Sequence, residues 1–348
     1  MKIQITGTID LTHSKISGQY DRTEIILDGL IEAGYDVRFC NMDNWKCNIF
    51  RVFVNIIKNY FWCDAYIIIA SLNGVKVNLN ILNILGIIRR KPVFQIAIGG
   101  MSNCEFVKTE KKYRDLVKKL QAVFVEIKSM INEYNHLGID QVYYMPNCKA
   151  IDKDTRRKEP LLVEPYRFCT YSRVTPSKGI EEAIKAVERL NEEKGECYCT
   201  LDIYGTYLPE DSKWFEKLMS HASPAISYKN KIDRNESIVT LGQYDLMLFP
   251  TKHGGEGVPG AMIDCYEAGL PIVVCNTSFM SQIVIDEKSG FVYEGDNDLN
   301  LDKAILRYTE SLTKDEKKQM RKNCMEMAME YDTEKAISVL SNHLNNLK

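Results

Sequence analysis

Apolar residues along this 348-residue chain occur in short runs, and amphipathic stretches separate the runs. Short apolar runs bounded by turn residues predict buried strands, whereas apolar residues spaced i, i+3, i+4 predict helices. The predicted strands are 1–9, 36–40, 65–70, 93–98, 122–126, 166–174, 199–207, 226–228, 246–249 and 272–274. Strands that alternate with helices in this way predict an α/β protein with Rossmann-like, doubly wound parallel sheets.

A polar, charged stretch bounded by prolines interrupts this pattern near the middle of the chain. It predicts an N-terminal domain over residues 1–150, a linker over 151–165 and a C-terminal domain over 166–330. The chain is long enough for two domains with separate cores. The last residues, 331–348, are charged and predicted to be helical.

Composition excludes several classes of protein. The chain has 45 Lys and Arg residues against 47 Asp and Glu, a net charge of −2, which argues against nucleic-acid binding. Its 11 cysteines contain no C-x-x-C pair, and no signal peptide is recognisable, so a reducing cytoplasm is expected. No apolar run reaches the roughly 18 residues that a membrane-spanning helix needs.

The segment DLMLFPTKHGGEGVPGAMIDCYEAGLPIVVC, residues 245–275, contains the strongest candidate chemistry. It predicts a strand, a glycine-rich loop, a helix and a second strand. Val258 begins the apolar stripe of the helix, and Pro259 suits its first turn, where an N–H is not needed. A glycine loop that leads into a helix offers free N–H groups to phosphate or sugar oxygens.

Two acids flank this predicted helix start. Glu256 lies in the loop and Asp264 lies eight residues later, so the two could reach opposite ends of one ligand. The alternative is that both acids are solvated members of an ordinary strand–loop–helix unit.

The run GEGVPGAMIDCYEAGLPIVV resembles the E-x7-E signature of glycosyltransferase family 4, the group 1 retaining transferases of the GT-B fold. Glu256 matches the first acid, and Asp264 replaces the second Glu with a shorter carboxylate. The resemblance implies two Rossmann-like domains facing each other across a cleft, with the last helix crossing back to the first domain. It also implies a donor-binding role for the residues between the acids, Gly257, Val258, Pro259 and Gly260.

A second element strengthens the resemblance. S-R-V-x-x-x-K-G resembles the family's G-R-x-x-x-x-K-G, in which the two cations clasp the nucleotide diphosphate, and Arg173 and Lys178 take those places. Two fixed cations suit a diphosphate leaving group. The resemblance further implies that Gly205 lets the nucleotide approach the backbone, and that Tyr228 and Lys229 border the base.

In the first half of the chain, three glycines are candidates for the acceptor side or a phosphate loop. Gly18 lies in a polar loop, for which a plain surface turn is the alternative. Gly99 and Gly100 follow a predicted strand, at the end where ligands bind. Many family members place a His near this point, and this chain has glycine instead.

Two segments rich in basic and aromatic residues, Ile49–Trp62 and Ile81–Lys91, suggest contact with an anionic membrane surface. The alternative is a pair of helices that pack on a sheet and have basic last turns, which the helix dipole favours.

The implied function is retaining transfer of a sugar from a nucleotide-diphosphate sugar, such as a UDP-sugar, to a hydroxyl of a glycan or lipid-linked oligosaccharide. Cell-surface polysaccharide synthesis is the expected context. No cofactor is expected beyond the nucleotide sugar. No metal is expected either, because the only candidate metal motif, the D-x-D at residues 296–298, precedes a predicted helix, where Asp is a common cap. His253 could bind the donor. The alternatives are a sugar-nucleotide epimerase, a phosphorylase, or a non-catalytic partner of a transferase.

Overall fold

The computed structural model describes residues 1–9, 18–43, 45–152, 159–195 and 197–347. The chain forms two compact units. Unit 1 comprises Met1–Ala150, Gly255–Gly260 and Tyr331–Lys348, and unit 2 comprises Ile151–Gly254 and Ala261–Glu330. The short segment Gly255–Gly260 contains Glu256 and is called the acid segment below.

Unit 1 is built on a six-stranded parallel sheet in the order β2-β1-β3-β4-β5-β6. Its strands are β1 (Lys2–Gly7), β2 (Asp36–Asn41), β3 (Ala65–Ala70), β4 (Val93–Ala97), β5 (Ala122–Val125) and β6 (Val142–Tyr144). The helices between them are α1 (Gly18–Glu32), α2 (Ile49–Tyr60), α3 (Leu72–Ile84), α4 (Met101–Thr109), α5 (Lys111–Val117) and α6 (Lys128–Asn135). Strands β3 to β5, which are apolar except for Gln95, are buried throughout, as expected for a parallel sheet covered on both faces.

The last helix, α14 (Thr333–Asn345), packs on α1 within unit 1. The carboxylate of Asp332 accepts the Glu334 N–H at 3.2 Å and caps the start of this helix. Its buried face, which includes Ile337 and Leu340, joins the core formed by the strands and α1.

Unit 2 is built on a second six-stranded parallel sheet in the order β12-β11-β10-β7-β8-β9. Its strands are β7 (Tyr166–Tyr171), β8 (Cys199–Tyr204), β9 (Ile226–Asn230), β10 (Leu246–Phe249), β11 (Ile272–Cys275) and β12 (Gly290–Tyr293). The helices are α7 (Ile180–Lys194), α8 (Ser212–His221), α9 (Ser237–Leu241), α10 (Gly260–Glu267), α11 (Met280–Ile283), α12 (Leu299–Thr309) and α13 (Lys314–Ala328). Numbered within the unit, this order is 3-2-1-4-5-6, the doubly wound order of dinucleotide-binding folds.

The predicted fold class of two parallel α/β sheets is confirmed. Several local predictions differ from the structure. The second basic segment is not one helix, because α3 ends at Ile84 and Gly86 adopts a left-handed conformation (φ 67°) before a short 3-10 turn. Strands β6 and β12 were not predicted. Among the described residues, none of the helices is long and apolar enough to cross a membrane.

Candidate functional site

The carboxyl ends of β7 and β10 lie side by side where the strand order of unit 2 reverses. The loops after these strands are joined, because the Lys252 N–H donates to the Ser177 carbonyl oxygen at 3.0 Å. Gly179 has a left-handed φ of 74°, and a Cβ there would overlap the carbonyl of Pro250. Doubly wound sheets bind ligands at such reversal points. The fold therefore places the loop that carries Arg173 and Lys178, called the diphosphate loop below, at the expected ligand-binding edge.

Three basic side chains meet at this edge. Arg173 is exposed after β7, and Lys178 is half-buried at the end of the 3-10 turn Pro176–Lys178. Burial and, second, the charge of Arg173 lower the pKa of Lys178 to about 8. Burial, followed by Lys178 and Arg173, lowers the pKa of His253. This mutual repulsion means that a bound polyanion such as a diphosphate would stabilise the charged forms.

The second predicted acid, Asp264, lies in α10 and is buried. The Tyr171 hydroxyl at the end of β7 donates to Asp264 Oδ2 at 3.2 Å. Burial, with a smaller contribution from the Asp264 charge, raises the pKa of Tyr171, so the phenol is protonated and acts as a donor. The second acid of the motif is thus oriented by a tyrosine hydroxyl.

Gly205 follows β8 and has a φ of 142°, and a Cβ there would overlap the Ser172 carbonyl oxygen. Its own carbonyl accepts the Tyr228 hydroxyl at 2.8 Å. Lys229 lies 3.6 Å from the Asp202 carboxylate. The two residues predicted to border the base therefore have contacts within unit 2, and only Tyr228 is bonded to the glycine of the predicted nucleotide site.

The helix after the acid segment begins later than predicted. α10 starts at Gly260, so Val258 and Pro259 precede it and are not in its first turn. The Val258 carbonyl, which a helix starting there would use, accepts Asn147 Nδ2 at 2.9 Å. Its N–H, which a first turn leaves free, donates to Glu126 Oε2 at 2.9 Å.

The acid segment is held within unit 1 at the carboxyl end of β4. The Gly100 N–H donates to the Gly255 carbonyl oxygen at 3.2 Å. A Cβ on Gly257 would lie 3.2 Å from the Gly99 carbonyl carbon. Glu256, between these two contacts, is half-buried. The two glycines predicted for the acceptor side therefore contact the segment that carries the first acid.

Gly18 is the first residue of α1 and not part of a loop. The preceding residues of the predicted phosphate loop, 10–17, lie outside the described residues.

The D-x-D at residues 296–298 contributes to the start of α12, although not through Asp298. Asp298 occupies the cap position without a side-chain cap bond. Asn297 Oδ1 accepts the Leu299 N–H at 2.9 Å, and Asp296 accepts the Asn300 amide at 2.9 Å. Within the described ranges, no three His, Cys, Asp or Glu side chains are grouped as they would be around a metal ion.

Sequence reasoning missed three residues that contact the predicted site residues, Glu126, Asn147 and Tyr171. It also missed Arg22, which pairs with Glu126. A signal for Glu126 exists, because an acid directly follows the wholly apolar strand AVFV, at the end where ligands and loops gather. Tyr171 likewise ends a buried strand. The other two residues contribute through contacts that are remote in sequence and leave no local pattern.

Comparisons with known proteins agree with this geometry. The family described as "Glycosyl transferases group 1" matches residues 152–328, just over half of the chain. None of the curated protein sequences matches. Among solved structures, Anabaena Alr3699/HepE in complex with UDP and glucose is similar with a TM-score of 0.76 at 12% identity, over 99% of this chain and 100% of that one.

Two further structures are similar. Sucrose-phosphate synthase from Thermosynechococcus elongatus has a TM-score of 0.75 at 13% identity, over 99% of this chain and 98% of that one. The pneumococcal O-GlcNAc transferase GtfA in complex with UDP and GlcNAc has a TM-score of 0.59 at 16% identity, over 81% of this chain and 56% of that one. At these identities the likeness concerns the fold, which is GT-B, and the family match concerns the sequence. The chain belongs to the group 1 family of glycosyltransferases.

Proposed function

We propose that this protein transfers a sugar from a UDP-sugar to a hydroxyl of a glycan or lipid-linked oligosaccharide, with retention of the anomeric configuration, in the synthesis of a cell-surface polysaccharide. The observation that carries the proposal is the group of basic side chains, Arg173, Lys178 and His253, at the strand reversal of unit 2. The choice of uridine is supported by the similar HepE and GtfA structures, which were solved with UDP-glucose or with UDP and a sugar.

In this proposal the departing diphosphate gains negative charge as the glycosidic bond breaks. Arg173 and Lys178 stabilise that charge without a metal ion or cofactor, since fixed cations are most effective where charge develops. The acceptor hydroxyl attacks from the same face as the leaving group and passes its proton to the departing diphosphate, which gives retention.

The two acids have separate roles in the proposal. Asp264, oriented by the Tyr171 hydroxyl, accepts hydrogen bonds from the ribose diol. Glu256, held in the acid segment, accepts hydrogen bonds from hydroxyls of the donor sugar. Gly205 allows the nucleotide to approach the backbone after β8.

The test is a panel of UDP-sugars incubated with the protein and a soluble acceptor, with the product analysed by NMR. An α-linked product from an α-linked donor supports retention, and a β-linked product would contradict it. Free UDP without any glycoside product would indicate hydrolysis alone. Binding of UDP without turnover of any donor would favour the non-catalytic partner.

We also propose that the protein acts in the cytoplasm, at the inner face of the plasma membrane, through α2. The side chains of Phe50 and Phe61, in and just after this helix, are 78% and 83% exposed. Arg51 and Lys58 are exposed on the same helix, and its sequence contains no acid. Exposed aromatic and basic side chains on an amphipathic helix suit an anionic bilayer surface.

A further inference from the structure

A buried ion pair lies beneath the acid segment in unit 1. Arg22 of α1 is 1% exposed and Glu126, directly after β5, is 3% exposed. Arg22 Nη1 donates to Glu126 Oε1, and the guanidinium also donates to the carbonyl oxygens of Ala97 at 3.3 Å and Met145 at 3.1 Å. Burial lowers the pKa of Arg22 only to about 10, so it is charged at neutral pH.

Such a pair has an ambiguous effect on stability. Removing two charges from water is costly, and well-packed apolar residues often stabilise a fold as much as the pair does. The buried pair is therefore weak evidence for a role in stability.

The second oxygen binds the backbone of the acid segment. Glu126 Oε2 accepts the Val258 N–H at 2.9 Å, a bond between residues 132 positions apart. The same oxygen lies where a Cβ on residue 257 would be, so any residue other than glycine there would displace this carboxylate. Val258 is two residues after Glu256, and the bond fixes the chain on that side of the acid.

We propose that Glu126 is a positioning residue for Glu256. Arg22 orients the carboxylate of Glu126 and keeps it charged, and the carboxylate in turn holds the Gly257–Val258 backbone, so that Glu256 projects in one direction. The catalytic consequence rests on the proposed function, because it assumes that Glu256 binds the donor sugar.

A carboxylate is needed because two donors face it. Arg22 Nη1 donates to one oxygen and the Val258 N–H donates to the other. The amide of glutamine has one acceptor and one donor group, so Glu126→Gln would turn an N–H toward one of these donors. We expect the acid segment to lose its fixed position in this variant.

The first measurement does not depend on activity. In hydrogen exchange of the full-length protein, Glu126→Gln should speed exchange of the Val258 amide about tenfold or more, because a charge-assisted bond is lost. The matched control is Asp302→Asn, which breaks the Arg189–Asp302 ion pair between α7 and α12 in unit 2. The control should leave exchange at residues 255–260 unchanged. Unchanged exchange in Glu126→Gln would overturn the proposal.

The second measurement is a double-mutant cycle on transfer. Glu126→Gln should lower turnover at saturating donor about tenfold to a hundredfold, with UDP affinity within about twofold of wild type. If Glu126 acts through Glu256, adding Glu126→Gln to Glu256→Ala should cause little further loss. Losses that multiply would mean that Glu126 affects turnover by another route, and would overturn the proposal.

A second variant covers the case in which Glu126→Gln fails to fold, since it leaves the Arg22 charge buried. Arg22→Met combined with Glu126→Leu removes both charges and should fold. It should still show fast exchange at Val258 and low turnover, and wild-type values of both would refute the positioning role. If Glu256→Ala itself transfers sugar normally, the role proposed for Glu256 fails. If the wild-type protein transfers no sugar, the proposed function fails. In either case the exchange result still judges the contact.

Discussion

Lys178 should make nucleotide binding depend on pH in a range where few other groups titrate. Burial and the charge of Arg173 hold the pKa of Lys178 near 8 in the protein without ligand. A bound diphosphate favours the protonated lysine, so binding above pH 8 requires proton uptake. Protonated lysine falls from about nine-tenths at pH 7 to about one-tenth at pH 9.

The affinity for UDP should therefore weaken about tenfold between pH 7 and pH 9, or about 1.4 kcal/mol. The affinity falls as the pH rises because burial and the charge of Arg173 disfavour the protonated Lys178 that the diphosphate needs. Burial and the charges of Lys178 and Arg173 lower the pKa of His253, which favours the neutral ring over this range in the protein without ligand. Calorimetric titration at several pH values, in buffers of different ionisation enthalpy, measures both the affinity and the proton uptake.

The matched control is Lys178→Arg, because a guanidinium remains charged over the whole range. Its UDP affinity should not show the tenfold decline, and any titration of the nucleobase cancels in the comparison with wild type. Lys178→Ala should bind UDP more weakly at pH 7, also without the decline, and should bind uridine normally. A decline of equal size in wild type and Lys178→Arg would refute the assignment of the titrating group.

Four further outcomes are expected. Transfer, measured as UDP release, should continue in excess EDTA because fixed cations stabilise the diphosphate, and activity lost in EDTA but restored by manganese would contradict this. Glu256→Ala should reduce transfer about 10²- to 10³-fold and leave the UDP affinity, measured by calorimetry, nearly unchanged. Asp264→Ala should instead weaken UDP binding. The reverse pattern would mean that the roles of the two acids are exchanged. Burial raises the pKa of Asp245 to about 6, so the folded state binds this proton more tightly and loses stability as pH rises from about 4 to about 6. Asp245→Asn should therefore stabilise the protein at pH 7.5, by at most about 3 kcal/mol, and raise its thermal midpoint there while leaving the midpoint at pH 4 unchanged. Equal shifts of the midpoint at both pH values would refute burial of the charge as the cause. Replacing Phe50 and Phe61 with Ser should reduce sedimentation with phosphatidylglycerol vesicles while transfer to a soluble acceptor is retained, and unchanged sedimentation would exclude α2 as the contact.

The sequence predicted the strands of both sheets better than the loops between them. Buried parallel strands such as β3 and β10 are continuous apolar runs, and such runs can be recognised from the local sequence alone. The doubly wound alternation follows from the same runs. Two short edge strands, β6 and β12, were missed, since neither is a fully buried apolar run.

The differences at the site have non-local causes. Val258 fits the apolar stripe of a helix, yet its carbonyl accepts the side chain of Asn147, 111 positions away, and α10 begins only at Gly260. Similarly, the resemblance identifies Asp264 as a site residue, but it does not indicate that the Tyr171 hydroxyl orients this carboxylate. Local spacing determines which residues share a face of an element, and it contains no information about which distant side chain will bond to the backbone.

Contacts between residues distant in sequence also separate the two acids of the motif. Glu256 and Asp264 are eight residues apart in one motif, yet Glu256 belongs to unit 1 and Asp264 to unit 2. Asp264, the Tyr171 hydroxyl that bonds to it, and the cations of the diphosphate loop belong to unit 2, so affinity for the free nucleotide should depend on unit 2. The direction of Glu256 depends on the contacts of the acid segment with Gly100 and Glu126 in unit 1. Substitutions beneath the acid segment should therefore change transfer and leave nucleotide affinity nearly constant, although the motif is continuous in sequence.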